Sequence, residues 1–110
     1  MNEQIEFKKK VVVDILAERY FQEMKWGEQN HDPYTYLAIL LEEVGEYAQA
    51  SLQTQFGGKH GGLENMRTEA VQVAAVAMAI IECLDREKYE WPKQKQLETV
   101  PLFGENETKK

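Results

Sequence analysis

The sequence predicts an all-α domain, and three observations carry that prediction. Apolar residues recur at three- and four-residue spacing over long stretches, no segment alternates apolar and polar residues as a half-buried strand does, and the breaks fall at Gly- and Pro-containing clusters. A chain of 110 residues, 43% hydrophobic and 29% charged, makes one globular domain. Such a domain buries roughly two thirds of its unfolded surface.

From Ile5 to Lys25 the residues Val13, Leu16, Ala17, Tyr20, Phe21 and Met24 trace one amphipathic helix, which Gly27 stops. Lys8, Lys9 and Lys10 read as its solvated face. The segment GEQNHDP then turns the chain: Asp32 is suited to cap a helix and Pro33 to occupy its first position, so a second helix starts there and runs to about Gln53. QFGGKHGG follows, and its four glycines predict a flexible connection. A third helix spans about Leu63 to Arg86. Beyond Trp91 and Pro92 the chain turns polar, with room for one short helix before a disordered tail. The expected domain covers residues 1–97 and the tail residues 98–110.

The formal net charge of −6 disfavours a nucleic-acid polymer or an anionic membrane as partner, because either would repel the protein. Cys83 is the only cysteine, which rules out an internal disulfide and a Cys-rich zinc site. The apolar run VAAVAMAII is too short to span a bilayer, and MNEQIEFKKK lacks the pattern of a secretion signal, so a cytoplasmic protein is expected.

The distribution of glutamates is harder to explain. LAILLEEVGEYAQA carries Glu42, Glu43 and Glu46 within two turns of an otherwise apolar helix, and like charges three or four residues apart repel. On a helical wheel Leu37, Leu41, Val44 and Ala48 form one stripe, with Glu42 and Glu46 opposite and Glu43 at the edge. A solvated outer face would account for that pattern alone. Glu69 is different, because it falls within the stripe Met66, Val73, Val76, Ile80 and Leu84 of a helix apolar on nearly all sides. Arg67 points away from it, and no lysine or arginine lies between Arg67 and Arg86, so the carboxylate needs a cation from elsewhere. A metal ion shared with Glu43 and Glu46 would serve, and all-oxygen ligation favours Mg²⁺ or Mn²⁺. Glu43 with Glu46, and Glu69 with Gln72, are both i,i+3 pairs, so two antiparallel helices could aim four oxygen-bearing side chains at one point. A di-iron bundle would need Glu-x-x-His on two helices. Only Glu28 and His31 have that spacing, and they lie in a turn.

EEVGE at Glu42 to Glu46, followed by Glu69 in EAVQ, resembles the Glu-Glu-x-x-Glu and Glu-x-x-Asp signature of the MazG-like, all-α nucleoside triphosphate pyrophosphohydrolases. Upstream, Trp26, His31 and Pro33 resemble the Trp and His-x-Pro that members acting on deoxynucleotides place before the acidic helix. The likeness covers roughly residues 10 to 86. It implies a helical bundle that hydrolyses a nucleoside triphosphate to a monophosphate and pyrophosphate, a role in nucleotide-pool housecleaning, and Mg²⁺ or Mn²⁺ as cofactor. It further implies Glu43, Glu46 and Glu69 as metal ligands, with Gln72 a weaker fourth, and Glu42 as either a ligand to a second ion or the base for water. Lys25, Trp26, Gln29 and His31 become candidate substrate contacts. The departure is Gln72, where the family pattern has Asp: an amide offers an oxygen but no charge.

Three helices form a thin layer, and the second and third are apolar on more sides than one layer covers. A homodimer or homotetramer is therefore expected. Two other readings compete: a non-catalytic nucleotide- or metal-binding module that lost turnover with Gln72, and a helical interaction protein whose glutamates are merely solvated.

Overall fold

The computed structural model describes residues 2–91, and they form three α-helices: α1 (Glu3–Trp26), α2 (Pro33–Phe56) and α3 (Leu63–Arg86). Each has 24 residues and is about 36 Å long. No strand occurs among the described residues. The short helix and disordered tail expected after Pro92 lie outside them.

The helix ends follow local chemistry. Asn2 accepts a hydrogen bond from the Ile5 N–H at 3.0 Å, with Glu3 and Glu6 in the favourable first turn of α1. Gly27, at φ +74°, stops that helix. Asp32 accepts from the Tyr34 and Thr35 N–H groups at 2.9 and 3.0 Å, and these bonds hold its carboxyl below the usual range. Pro33 opens α2, where a missing N–H costs nothing.

The glycine-rich connection is not the flexible linker its composition suggests. The Gln53 side chain accepts from the His60 N–H at 2.7 Å, Thr54 Oγ1 accepts from the Gly62 N–H at 2.8 Å, and the Asn65 amide donates to the His60 carbonyl at 2.5 Å. A Cβ at Gly61 would lie 2.5 Å from the Gln53 carbonyl oxygen, so a glycine is needed for the close approach. The last turn of α2 thus binds the loop and returns the chain antiparallel as α3.

α3 is the central element. It packs on both α1 and α2, whereas α1 does not pack on α2 among the described residues. Its buried face is Ala75, Val76, Ala79 and Cys83, mostly small side chains that let the neighbours approach closely. From α2, Tyr36 and Ala50 are buried against it.

The orientation of α1 differs from the one its apolar periodicity suggests. Val13, Leu16, Tyr20, Phe21 and Met24 are all about half exposed or more, and the one buried α1 residue is Arg19. Its guanidinium binds Glu82 of α3 through Nη2 at 2.6 Å and Nε at 3.1 Å, with Glu23 a further 3.6 Å contact. A second tie joins Asp14 to Arg67 at 2.9 Å, so Arg67 does point away from Glu69. A charge pair that α3 alone can complete therefore sets the face that α1 turns inward. The α2 stripe of Leu37, Leu41 and Val44 is likewise exposed.

Arg19→Ala should lower stability by about 2 kcal/mol, less than for a fully buried pair because Glu82 keeps contact with water. Asp14→Ala, at an exposed pair, should change the melting temperature little. Denaturant unfolding of the two variants checks this contrast.

Candidate functional site

Glu43 and Glu46 stand one turn apart on α2, and Glu69 faces them from α3. Each offers a carboxylate oxygen within 4.8 Å of the other two. Glu43 and Glu69 are half-buried, and one oxygen of each, Oε1 in both, is out of contact with water and has no hydrogen-bond partner. A buried acceptor left unpaired costs about 1–3 kcal/mol.

The electrostatics repeat the point. Burial pushes the Glu43 carboxyl up, and the charges of Glu46, Glu69, Glu42 and Glu18 push it further. Burial also raises Glu69, as do the charge of Glu46 and a hydrogen bond with it, against a small opposing influence from His60.

These residues fit a hard divalent ion. They supply carboxylate oxygens, no thiolate or imidazole, and two acceptors with no other use, while one edge stays open to the waters that Mg²⁺ prefers to keep. Glu42 is exposed and affects the cluster only through its charge on Glu43. Glu82, which with Asp85 repeats the Glu-x-x-Asp spacing further along α3, is bound to Arg19 instead.

Beside the cluster lies a cleft of about 270 Å³ between the C-terminal half of α1 and the α2–α3 pair. Glu43 and Gln72 lie on its wall with Lys25, Trp26 and Gln29, so five of the nine candidate residues from the sequence share one cavity. Glu46 and Glu69 join through the carboxylate cluster. Trp26 is 55% exposed at the rim, and the Lys25 ammonium sits 4.9 Å from its ring centre, a cation–π distance.

His31 is placed elsewhere. Its ring packs edge-on against Tyr36 at 5.0 Å, and it lines a separate apolar cavity with Pro33, Leu40 and Cys83 on the far side of Tyr36. Sequence reasoning missed Glu18, Arg19 and Gln22, which also line the cleft. Their spacing puts them on one face of α1, but that face is polar and reads as solvated until α3 supplies Glu82.

No helix among the described residues is long and apolar enough to cross a membrane. Compared with protein-family models, curated proteins and solved structures, the chain matches none.

Glu43 and Glu69 carry raised values, so their ionisation opposes folding. That penalty is absent below the ordinary carboxylate value of 4.5 and sets in as pH rises through the raised values. Metal-free Glu69→Gln should therefore melt a few degrees above metal-free wild type at pH 7, with the gap closing toward pH 4. Millimolar Mn²⁺ should raise the melting temperature of wild type at neutral pH but not that of Glu69→Gln. Thermal melts across pH, with and without Mn²⁺, read both effects.

Proposed function

We propose that the protein is a Mg²⁺-dependent nucleoside triphosphate pyrophosphohydrolase, converting an NTP or dNTP and water into the monophosphate and pyrophosphate. The observation that carries this reading is the convergence of Glu43, Glu46 and Glu69, with two buried carboxylate oxygens unpaired, beside a cleft bearing Lys25, Trp26 and Gln29. The resemblance of EEVGE and EAVQ to the MazG-like signature supports the same chemistry.

Bound at the three carboxylates, Mg²⁺ supplies positive charge against the triphosphate and makes water a better nucleophile at neutral pH. Glu43, Glu46 and Glu69 hold the ion, and Gln72 offers a neutral oxygen from the cleft wall. Trp26 presents an aromatic face suited to a nucleobase, Gln29 an amide for base edges, and Lys25 a charge for phosphate. In the reaction a water oxygen bonds to the α-phosphorus, the bond to the α–β bridging oxygen breaks, and that oxygen leaves with pyrophosphate. The family resemblance gives Glu42, exposed and next to Glu43 in the chain, the role of taking the water's proton or binding a second ion.

The exposed apolar residues support a homodimer. Leu37, Leu41 and Val44 on α2 are 52%, 58% and 41% exposed, a stripe that a second copy would cover. Leu41→Glu should yield a species of half the wild-type mass in sedimentation equilibrium. A sedimenting monomer in wild type contradicts the dimer.

One observation favours a second reading, a binding module without turnover: Gln72 lines the cleft beside Glu43 with an amide where a fourth carboxylate would add charge. Pyrophosphate release from the common ribo- and deoxynucleoside triphosphates with Mg²⁺ or Mn²⁺ separates the two. The hydrolase reading predicts turnover that falls at least about a hundredfold in Glu46→Ala and Glu69→Ala, the scale expected for lost metal ligands. Saturable nucleotide binding without product, and a gain of turnover in Gln72→Asp, would establish the module instead.

A further inference from the structure

The turn between α1 and α2 has no regular secondary structure, yet the backbone or side chain of each residue from Glu28 to Asn30 is tied to the end of α3. Arg86, the last residue of α3, donates from Nη2 to the Gln29 carbonyl at 3.0 Å and from Nε to Asn30 Oδ1 at 2.9 Å. Its Nε also lies 3.3 Å from the Glu28 carboxylate, which in turn accepts from the Asn30 amide at 2.9 Å. The buried Tyr36 hydroxyl donates to the same Gln29 carbonyl at 3.0 Å. One backbone oxygen thus accepts two hydrogen bonds, from two different helices.

Gln29 lines the cleft, and Trp26 and Lys25 immediately precede the turn. Arg86 itself does not line that cavity. It is seventeen residues from Glu69 along α3, about 25 Å at the helical rise. The guanidinium suits this place for two reasons: its planar fork serves acceptors on successive residues, which a single ammonium cannot, and a cation is favoured at a helix C-terminus.

We propose that Arg86 is a positioning residue for nucleobase recognition, acting through the Glu28–Gln29–Asn30 turn to hold Gln29 and Trp26 at the cleft. The inference rests on the hydrolase reading and adds to it. Metal capture belongs to the Glu43–Glu46–Glu69 end of the helix pair, and selection of the nucleoside belongs to the turn that Arg86 clamps.

The test compares wild type with Arg86→Gln, Arg86→Lys and the milder Asn30→Ala, which removes one acceptor at a half-buried position. Steady-state pyrophosphate release is measured with each common nucleoside triphosphate and Mg²⁺, alongside the Mn²⁺-induced melting shift and amide exchange of residues 28–31. Arg86→Gln should raise KM about tenfold with kcat within about twofold, the scale of one or two lost hydrogen bonds to a charged donor. The preference among bases should narrow, exchange in the turn should quicken, and the Mn²⁺ shift should stay at its wild-type size. Arg86→Lys should recover little of the KM, and Asn30→Ala should move it in the same direction by less. An unchanged KM in Arg86→Gln with wild-type turnover intact overturns the clamp. So does full rescue by lysine, or a parallel loss of kcat, KM and the Mn²⁺ shift, which would mark Arg86 as a general stabiliser. Absence of turnover in wild type refutes the hydrolase reading itself, a different result from any of these.

Discussion

The cost of bringing three carboxylates together on two packed helices is the constraint on which the rest of the structure depends. Glu43 and Glu46 could have pointed to water from an isolated α2, and Glu69 alone could have been protonated. Packing α2 against α3 withdraws one oxygen of Glu43 and one of Glu69 from solvent without a donor for either. A protein only marginally stable overall keeps such a cluster at appreciable cost. A hard cation would turn the cost into binding energy, because affinity for the ion is also stabilisation of the fold that presents it.

The rest of the architecture delivers side chains to that point. Small residues on α3, Ala75 and Ala79 among them, let α2 come close. The bonded loop from Gly57 to Gly62 fixes the register in which Glu69 meets Glu43 and Glu46. On the other side the Arg19–Glu82 pair holds α1 to α3 by its polar face, and α1 contributes Lys25 and Trp26 to the cleft while its apolar residues face outward. The apolar residues of α1 and the Leu37, Leu41 and Val44 stripe of α2 stay exposed among the described residues.

Much of this was legible in the sequence, for identifiable reasons. Helix limits came from short-range signals: Asp32 with Pro33, the stop at Gly27, and the break before Leu63 are local chemistry that tertiary structure did not override. The carboxylate cluster was legible because Glu69 broke an apolar pattern, and a charge inside such a stripe requires a partner wherever the helix packs. Side-chain partners between distant segments were not legible. Nothing in the periodicity of α1 says that Arg19 finds Glu82 sixty-three residues away, and so its apolar stripe was a poor guide to the inward face. The glycine loop misled for a related reason: its order comes from Gln53 and Thr54 on the preceding helix, not from its own composition. His31, adjacent in sequence to the cleft residues, turns to the opposite side of Tyr36 because Cys83 and Tyr36 offer it an apolar pocket there.

Whether these carboxylates bind a cation can be read from anomalous diffraction by crystals grown with Mn²⁺. A cation site gives one strong anomalous peak about 2.0–2.3 Å from an oxygen of each of Glu43, Glu46 and Glu69, with the remaining positions filled by water. A well-ordered crystal at neutral pH with no peak there, and with Glu46 and Glu69 within hydrogen-bond distance sharing a proton, would contradict it.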